Sequence, residues 1–489
     1  MTATATTTWE AVIGLEVHVE LATATKLFCD CKNEFGADPN TNVCPVCLGL
    51  PGSLPVLNER AVEFALRIGD ALHCTVPEHS LFHRKNYFYP DMPKDYQISQ
   101  YDEPICVDGE LEVDGARVGI ERAHMEEDTG KTIHVGGGGR IHEADHSLVN
   151  YNRAGIPLME IVSRPHLRSA EQARAYVSEL RGVLQALGVS DVKMEEGAFR
   201  IDANVSLRPE GTEALGTKVE VKNMNSLRSL GRALEYEIER QTQLLDAGDR
   251  VMQETRHWDE AAGVTHTMRT KEEADDYRYF PEPDLVPVAP DDAMREQVRA
   301  SMPELPAARR ARLVAEWGIG EHDARVLVGT LGLGEFAEAA VVALQHGTPK
   351  DVVNWCTGDL LAYLHETGLA PGALPLAPDG LAELVDLVAD GTLSRNLAKD
   401  VLGECLRQPK RPKQVVEERG LAQVSDEDEL ASIVDDVLAA NTEAVADYRA
   451  GDDKVRKKKR GFIFGEVMRA TDRKANPQLV NGLLDDRLS

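Results

Sequence analysis

Val12-Ile13-Gly14-Leu15-Glu16-Val17-His18-Val19-Glu20-Leu21 decides how the first half of this chain folds. Side chains along a strand alternate between two faces. Ile13, Leu15, Val17, Val19 and Leu21 therefore share an apolar face, while Gly14, Glu16, His18 and Glu20 share the other. Residues 200–207 divide the same way: Ile201, Ala203, Val205 and Leu207 oppose Arg200, Asp202, Asn204 and Ser206. In residues 217–222, Thr217, Val219 and Val221 oppose Lys218, Glu220 and Lys222. An antiparallel sheet with one wet face needs only Thr, Lys, Glu and Ser on that face. A His between two Glu, and an Asp and Asn flanked by Arg and Ser, ask for more than solubility.

Two neighbouring segments add carboxylates. Pro157-Leu158-Met159-Glu160-Ile161-Val162 is an apolar run with one Glu inside it, and a buried carboxylate is costly unless paired or bound to a metal. His124-Met125-Glu126-Glu127-Asp128 carries three adjacent carboxylates, whose repulsion a divalent cation relieves. Carboxylate and imidazole donors suit Mg²⁺ or Mn²⁺. With Lys and Arg nearby they describe a nucleotide phosphate site, where metal and cations stabilise the charge of phosphoryl transfer. Arg200, Asn204, Lys218 and Lys222 are the candidate nucleotide-binding side chains. These patterns leave open whether Glu126 or Glu127 joins the site. Asp128-Thr129-Gly130-Lys131-Thr132 is not a P-loop, because Met125 stands where that motif needs its first glycine.

Cys29-Asp30-Cys31 and Cys44-Pro45-Val46-Cys47 are two close pairs separated by a loop. That is the arrangement of a four-thiolate zinc site, structural because four thiolates close the shell. Cys74, Cys106, Cys356 and Cys405 are scattered and read as small buried apolar residues.

The chain has 489 residues, enough for about three domains. Turn-rich alternating strands give way to Ala/Leu-rich helical sequence, then to a basic, proline-punctuated hinge at residues 407–413. The expected class is α+β: an antiparallel-sheet cradle over residues 1–294, then helical domains over 295–412 and 413–489. Ser169 with Gln172 reads as a capping box opening a helix, with Ala173, Tyr176, Leu180, Val183, Leu184 and Leu187 as its apolar stripe and Gly188 as its stop. In the last segment, Ser425 reads as an N-cap ahead of Leu430, Ile433, Val434, Val437 and Leu438. Gly136–Gly139 reads as a loop tip. No run of about 18 apolar residues occurs, and residues 1–8 lack a basic or apolar leader, so the expected compartment is the cytoplasm. The net charge of -28 argues against a surface coated in nucleic acid. One basic run, Lys454, Arg456, Lys457, Lys458, Lys459 and Arg460, is the candidate local contact.

Taken together, these stretches resemble the B subunit of the aspartyl/glutamyl-tRNA(Asn/Gln) amidotransferases. The opening strand, Arg84-Lys85-Asn86-Tyr87-Phe88-Tyr89-Pro90-Asp91, His124-Met125-Glu126-Glu127-Asp128, Asn152-Arg153-Ala154-Gly155-Ile156-Pro157, Lys222-Asn223-Met224-Asn225-Ser226 and Asp276-Tyr277-Arg278-Tyr279-Phe280-Pro281 carry the likeness. It runs nearly end to end. The resemblance implies an enzyme acting on glutamate or aspartate wrongly attached to glutamine or asparagine tRNA. The B subunit phosphorylates the side-chain carboxylate with ATP; ammonia released from glutamine by the glutaminase, the A subunit, displaces the phosphate; the small C subunit braces both. It implies a cradle similar in fold to glutamine synthetase and a tail that grips tRNA. Carried over, the Mg²⁺ ligands and their neighbours fall on Glu16, His18, Glu127, Glu160 and Asp202, with Lys85 beside phosphate or carboxylate. Two rivals share some of these features. A stand-alone ATP-dependent amide ligase on a free amino acid would use the cradle but has no need of the basic tail. A zinc-containing RNA-binding adaptor leaves the Glu16, His18 and Asp202 faces unexplained.

Overall fold

The structure is a computed structural model describing residues 7–136, 144–270, 277–421, 427–471, 475 and 477–488. Gly137–Gly139 of the expected loop tip and the expected cap Ser425 lie outside the described residues. The chain divides into two compact units, Met1–Pro306 and Ala307–Ser489.

The first unit holds an 11-stranded sheet. Its strands are β1 (Trp9–Glu20), β2 (His83–Asn86), β3 (Tyr96–Ser99), β4 (Cys106–Val113) and β5 (Ala116–Glu127). After the separate hairpin β6 (Lys131–Val135) and β7 (His146–Asn150) come β8 (Pro157–Ser163), β9 (Phe199–Pro209) and β10 (Val219–Lys222). β11 (Glu254–Asp259), β12 (Val264–Thr270) and β13 (Phe280–Pro281) complete it. The order is β12-β11-β10-β9-β1-β8-β5-β3-β2-β13, with β4 on β5. The expected antiparallel pairing holds except between β10 and β11, which run parallel. A parallel pair needs a crossover, and α3 (Leu227–Asp246) supplies it.

The apolar face of β1 is buried with α1 (Glu59–Ala71), α2 (Ala170–Ala186) and α3 in one core that includes Ile13, Leu15, Tyr176, Leu180 and Leu234. In α2 the expected stripe is buried and Gly188 adopts φ +65 to leave the helix. The capping box closes only in part. Ser169 Oγ accepts from Gln172 N at 3.1 Å, but Gln172 Oε1 accepts from Arg168 N at 2.8 Å, one residue before the cap. The unit also runs past the expected boundary at 294, because α4 (Asp292–Ala300) buries Val298 in the same core.

The second unit is helical and has two separate apolar cores. The first runs from Leu313 to Leu421 and the second from Leu430 to Leu488. The basic, proline-punctuated stretch is not the break between them. It is a turn from α5 (Arg395–Arg407) into α6 (Pro412–Arg419), whose Val415 and Val416 belong to the first core. Pro412 opens α6, where its missing N–H costs nothing. The second core is built by Glu427–Ala440, Thr442–Ala450, Asp453–Ala470 and Pro477–Leu488. Among the described residues no single helix is long and apolar enough to cross a membrane.

Candidate active site

Strand register gathers the polar groups. Directly paired residues of antiparallel strands share a face. β1 and β9 pair Glu16 with Asp202 and His18 with Arg200. β1 and β8 pair His18 with Glu160, and β8 and β5 pair Glu160 with His124. One buried carboxylate thus stands between two imidazoles.

His18 Nδ1 lies 3.5 Å from Glu126 Oε1 and 3.9 Å from Glu160 Oε2, and its Nε2 lies 3.8 Å from Asp202 Oδ2. His124 Nε2 is 3.5 Å from Glu160 Oε2, while its Nδ1 is buried with no hydrogen-bond partner. Ligand atoms of His18, Glu126 and Glu160 all lie within 4.8 Å of one another. Asn204 donates to Glu16 Oε1 at 2.9 Å, and Lys222 Nζ reaches Asp202 Oδ2 at 2.6 Å. A cavity of about 290 Å³ opens onto this group, with Lys85, Lys222 and Tyr279 also in its wall.

The electrostatics follow from crowding. Burial raises the Glu16 pKa, and Glu160, Glu220 and Asp202 add to it. Burial opposes the charged form of His18, but attraction to Asp202 and Glu126 outweighs it and raises the pKa to about 10. Burial likewise works against ionised Glu126 and Asp202; His18 and Lys85 hold the first below the usual carboxylate range, and Lys222 and His18 the second. Glu16, Glu126, Glu160 and Glu220 line this wall together with His18 and His124, and one buried imidazole nitrogen, His124 Nδ1, has no hydrogen-bond partner. That donor set fits a hard divalent cation.

Three expected residues stand elsewhere. Glu127, not Glu126, was the expected ligand, yet Glu126 is the one beside His18. Successive strand residues point to opposite faces, so Glu127 follows Met125 and Ala123 to the far side. There its carboxylate accepts from Ile98 N at 2.8 Å and pairs with Lys94 Nζ. Arg200 is turned from the cluster toward Asp128, at 2.9 Å from its Oδ2. Lys218 lies ahead of β10 and is exposed, outside the cavity wall. The remaining expected residues, Glu16, His18, Glu160, Asp202, Asn204, Lys222 and Lys85, are brought together. Glu126 and His124 were legible by alternation alone, since Ala123, Met125 and Glu127 share one parity and His124 and Glu126 the other.

The sulfurs of Cys29, Cys31, Cys44 and Cys47 also lie within 4.8 Å of one another, so the cysteine cluster has the geometry to bind a metal. Cys29 and then the backbone of Cys44 and Lys26 bring the Cys47 thiol down to about 4 against the effect of burial. Lys26 is wholly buried; its Nζ donates to Asn42 O at 2.8 Å and lies 3.7 Å from Cys47 Sγ. In the second unit the basic run lies on the helix Asp453–Ala470. Lys454, Arg456, Lys457 and Lys458 are exposed. Lys459 pairs with Asp447 at 2.7 Å and Arg460 with Asp485 at 2.7 Å.

Stretches of both units match known proteins. A family model described as "GatB/GatE catalytic domain" matches residues 11–296, and one described as "GatB domain" matches residues 335–488. The chain belongs to the GatB/GatE family. A protein of Moorella thermoacetica, named as the B subunit of aspartyl/glutamyl-tRNA(Asn/Gln) amidotransferase, is 54% identical over 98% of this chain and 100% of its own length. Proteins of the same name from Thermoanaerobacter pseudethanolicus and Thermosynechococcus vestitus are each 50% identical, over 98% and 99% of this chain and 99% and 97% of their own lengths.

Proposed function

We propose that this chain is the carboxylate-activating subunit of an ATP-dependent amidotransferase that converts misacylated Glu-tRNA(Gln), Asp-tRNA(Asn) or both to the amides. The observation that carries the reading is the group of His18, Glu126 and Glu160 from three strands, sharing one cavity with Lys85 and Lys222. Full-length identity to proteins named for that reaction supports it.

In this reading an oxygen of the tRNA-bound side-chain carboxylate attacks the γ-phosphorus of ATP, and ADP leaves. Ammonia then attacks the acyl phosphate, and inorganic phosphate departs. His18, Glu126 and Glu160 hold Mg²⁺, with Glu16 and Asp202 beside them; when bound, it neutralises charge on the transferred phosphoryl group. Lys85 and Lys222 orient phosphate or carboxylate oxygens. Asp202 keeps Lys222 charged and in place, as its raised pKa reflects despite burial. Asn204 holds Glu16 in position through the hydrogen bond that its side-chain amide donates to the carboxylate.

The reading extends to the rest of the chain. Cys29, Cys31, Cys44 and Cys47 hold a structural Zn²⁺, for which four converging sulfurs form a closed shell. The sheet unit is related in fold to glutamine synthetase, supported by its wide, mostly antiparallel sheet with an acidic face. The chain divides functionally into cradle, helical domain and tRNA-binding tail. Lys454, Arg456, Lys457 and Lys458 face tRNA phosphates. The glutaminase partner and the small bracing partner complete the enzyme in the cytoplasm.

The test uses the chain co-purified with those two partners and supplied with ATP, Mg²⁺, glutamine and each misacylated tRNA. Glu16→Ala and Asp202→Ala should abolish amidation while glutamine hydrolysis survives. Full amidation in both variants, or none by the unaltered complex, would sink the reading.

A further inference from the structure

Aromatic residues make up only 5% of this chain, yet five of its 11 tyrosines form one row that ends in the active-site cavity. Tyr101 and Tyr279 are stacked face to face, with ring centres 4.2 Å apart and planes at 8°. Tyr277 meets Tyr279 edge-on at 6.2 Å and Tyr87 at 6.2 Å, and Tyr87 meets Tyr89 at 5.9 Å. Tyr101, Tyr277 and Tyr279 share the cavity wall with His18, Glu126 and Glu160. Both ends of the row are exposed, Tyr101 by 44% and Tyr89 by 48%, and Phe88 next to Tyr89 in sequence is 69% exposed.

A core has no use for aromatic rings left in water, and a catalytic carboxylate cluster has none for a row of them. Cations accompany the row. Lys85 Nζ lies 5.0 Å from the Tyr277 ring centre and the Arg278 guanidinium 5.8 Å from that of Phe88. The chain carries a net charge of -28, and the cavity wall sets Glu16, Glu126, Glu160 and Glu220 against Lys85, Arg122 and Lys222. A polyanion approaching it gains little from long-range attraction. Base–aromatic stacking binds nucleic acid without that attraction and tolerates any base.

We propose that this tyrosine row stacks the unpaired bases at the 3′ end of the aminoacylated tRNA, with the Tyr101–Tyr279 pair receiving the innermost base. The proposal rests on the functional reading above. Stacking there delivers the attached side-chain carboxylate to the His18, Glu126 and Glu160 group. The adenine of ATP offers the same kind of ring, but a single base needs one platform. Five successive rings, three of them in the cavity wall, match a strand of several unpaired nucleotides.

The experiment uses the complete three-subunit enzyme. Tyr279→Ala should raise KM for the misacylated tRNA about 10-fold, within the range of stacking by one aromatic ring, with KM for ATP unchanged. Tyr279→Phe should restore the tRNA KM, because the ring and not the hydroxyl stacks. Tyr101→Ala, altering the other ring of the pair, should give the same split and serves if Tyr279→Ala does not assemble. Uncharged tRNA shortened at its unpaired 3′ end should inhibit the unaltered enzyme more weakly than full-length tRNA; Tyr279→Ala should remove that difference. A rise in KM for ATP with an unchanged tRNA KM would assign the rings to the nucleotide and overturn the proposal, as would no change in either constant. Absence of amidation by the unaltered enzyme would instead overturn the functional reading itself.

Discussion

Two groups of converging ligand atoms among the described residues of the sheet unit are assembled in opposite ways. Cys29, Cys31, Cys44 and Cys47 come from one short segment, and their sulfurs approach through local turns. His18, Glu126 and Glu160 come from β1, β5 and β8, brought side by side only by strand register. A local cluster depends on spacing and closes with little loop entropy. A cross-strand cluster depends on the whole sheet, and a register slip of one residue would turn a ligand to the opposite face. The first can be built around a metal; the second is held by the fold before anything binds.

The sharpest way to break this contrast is at the adjacent pair Glu126 and Glu127. In the complete enzyme, Glu126→Gln is expected to lower amidation at least about 100-fold, the scale of losing one electrostatic contact in a reaction centre, and to raise the Mg²⁺ concentration required. Glu127→Gln is expected to leave the Mg²⁺ requirement unchanged. Its effect should appear as a lower melting temperature, since Lys94, whose side chain is only 7% exposed, loses its partner. Titrating Mg²⁺ in both variants decides the matter; equal shifts would mean that strand alternation does not define the site.

A second substitution probes the local cluster. Cys44→Ser is expected to release about one equivalent of zinc, measured by elemental analysis. It should lower the melting temperature by about 5 °C, the shift that roughly 2 kcal/mol causes in a unit of this size. The Mg²⁺ requirement should not move. A coupled change in both metals would show that the two clusters are not independent.

The smallest expected effect lies outside both clusters and gives a reference for a carboxylate that only holds backbone. Asp386 accepts from Gln345 N at 3.0 Å, His346 N at 2.8 Å and Gly347 N at 2.9 Å. Burial works against its charge, but these bonds hold its pKa below the ordinary value. A depressed folded pKa stabilises above the unfolded pKa, and that stability is lost as pH falls through the folded value. Asp386→Asn should therefore cost about 1–2 kcal/mol near neutrality, and the gap to the unaltered chain should close as pH falls through the acid range. A gap that widens in acid, in denaturant melts at several pH values, would mean that folding raises the Asp386 pKa instead of lowering it.

Legibility in the sequence followed the range of the interaction. The faces of β1 and β9 were readable because alternation is local, and they placed Glu16, His18, Asp202 and Asn204 on one side. Cysteine spacing and the apolar stripe of α2 were readable for the same reason. Where the likeness to a family took precedence over alternation, it favoured Glu127 in place of Glu126. Arg200 had the right parity, but a neighbour distant in sequence, Asp128, claimed its guanidinium. The proline-rich stretch at residues 407–413 had the composition of a hinge, yet Val415 and Val416 bury into the preceding core.

The sequence by itself determined which side chains share a strand face, which cysteines lie close enough to converge, and where α2 starts and stops, because each rests on covalent spacing and backbone geometry. Only the tertiary structure decided that β10 and β11 run parallel, that Glu160 stands between His18 and His124, and that tyrosines from two distant segments form one row. Those outcomes depend on which strands become neighbours, which is settled by burying one continuous apolar face across residues far apart in the chain.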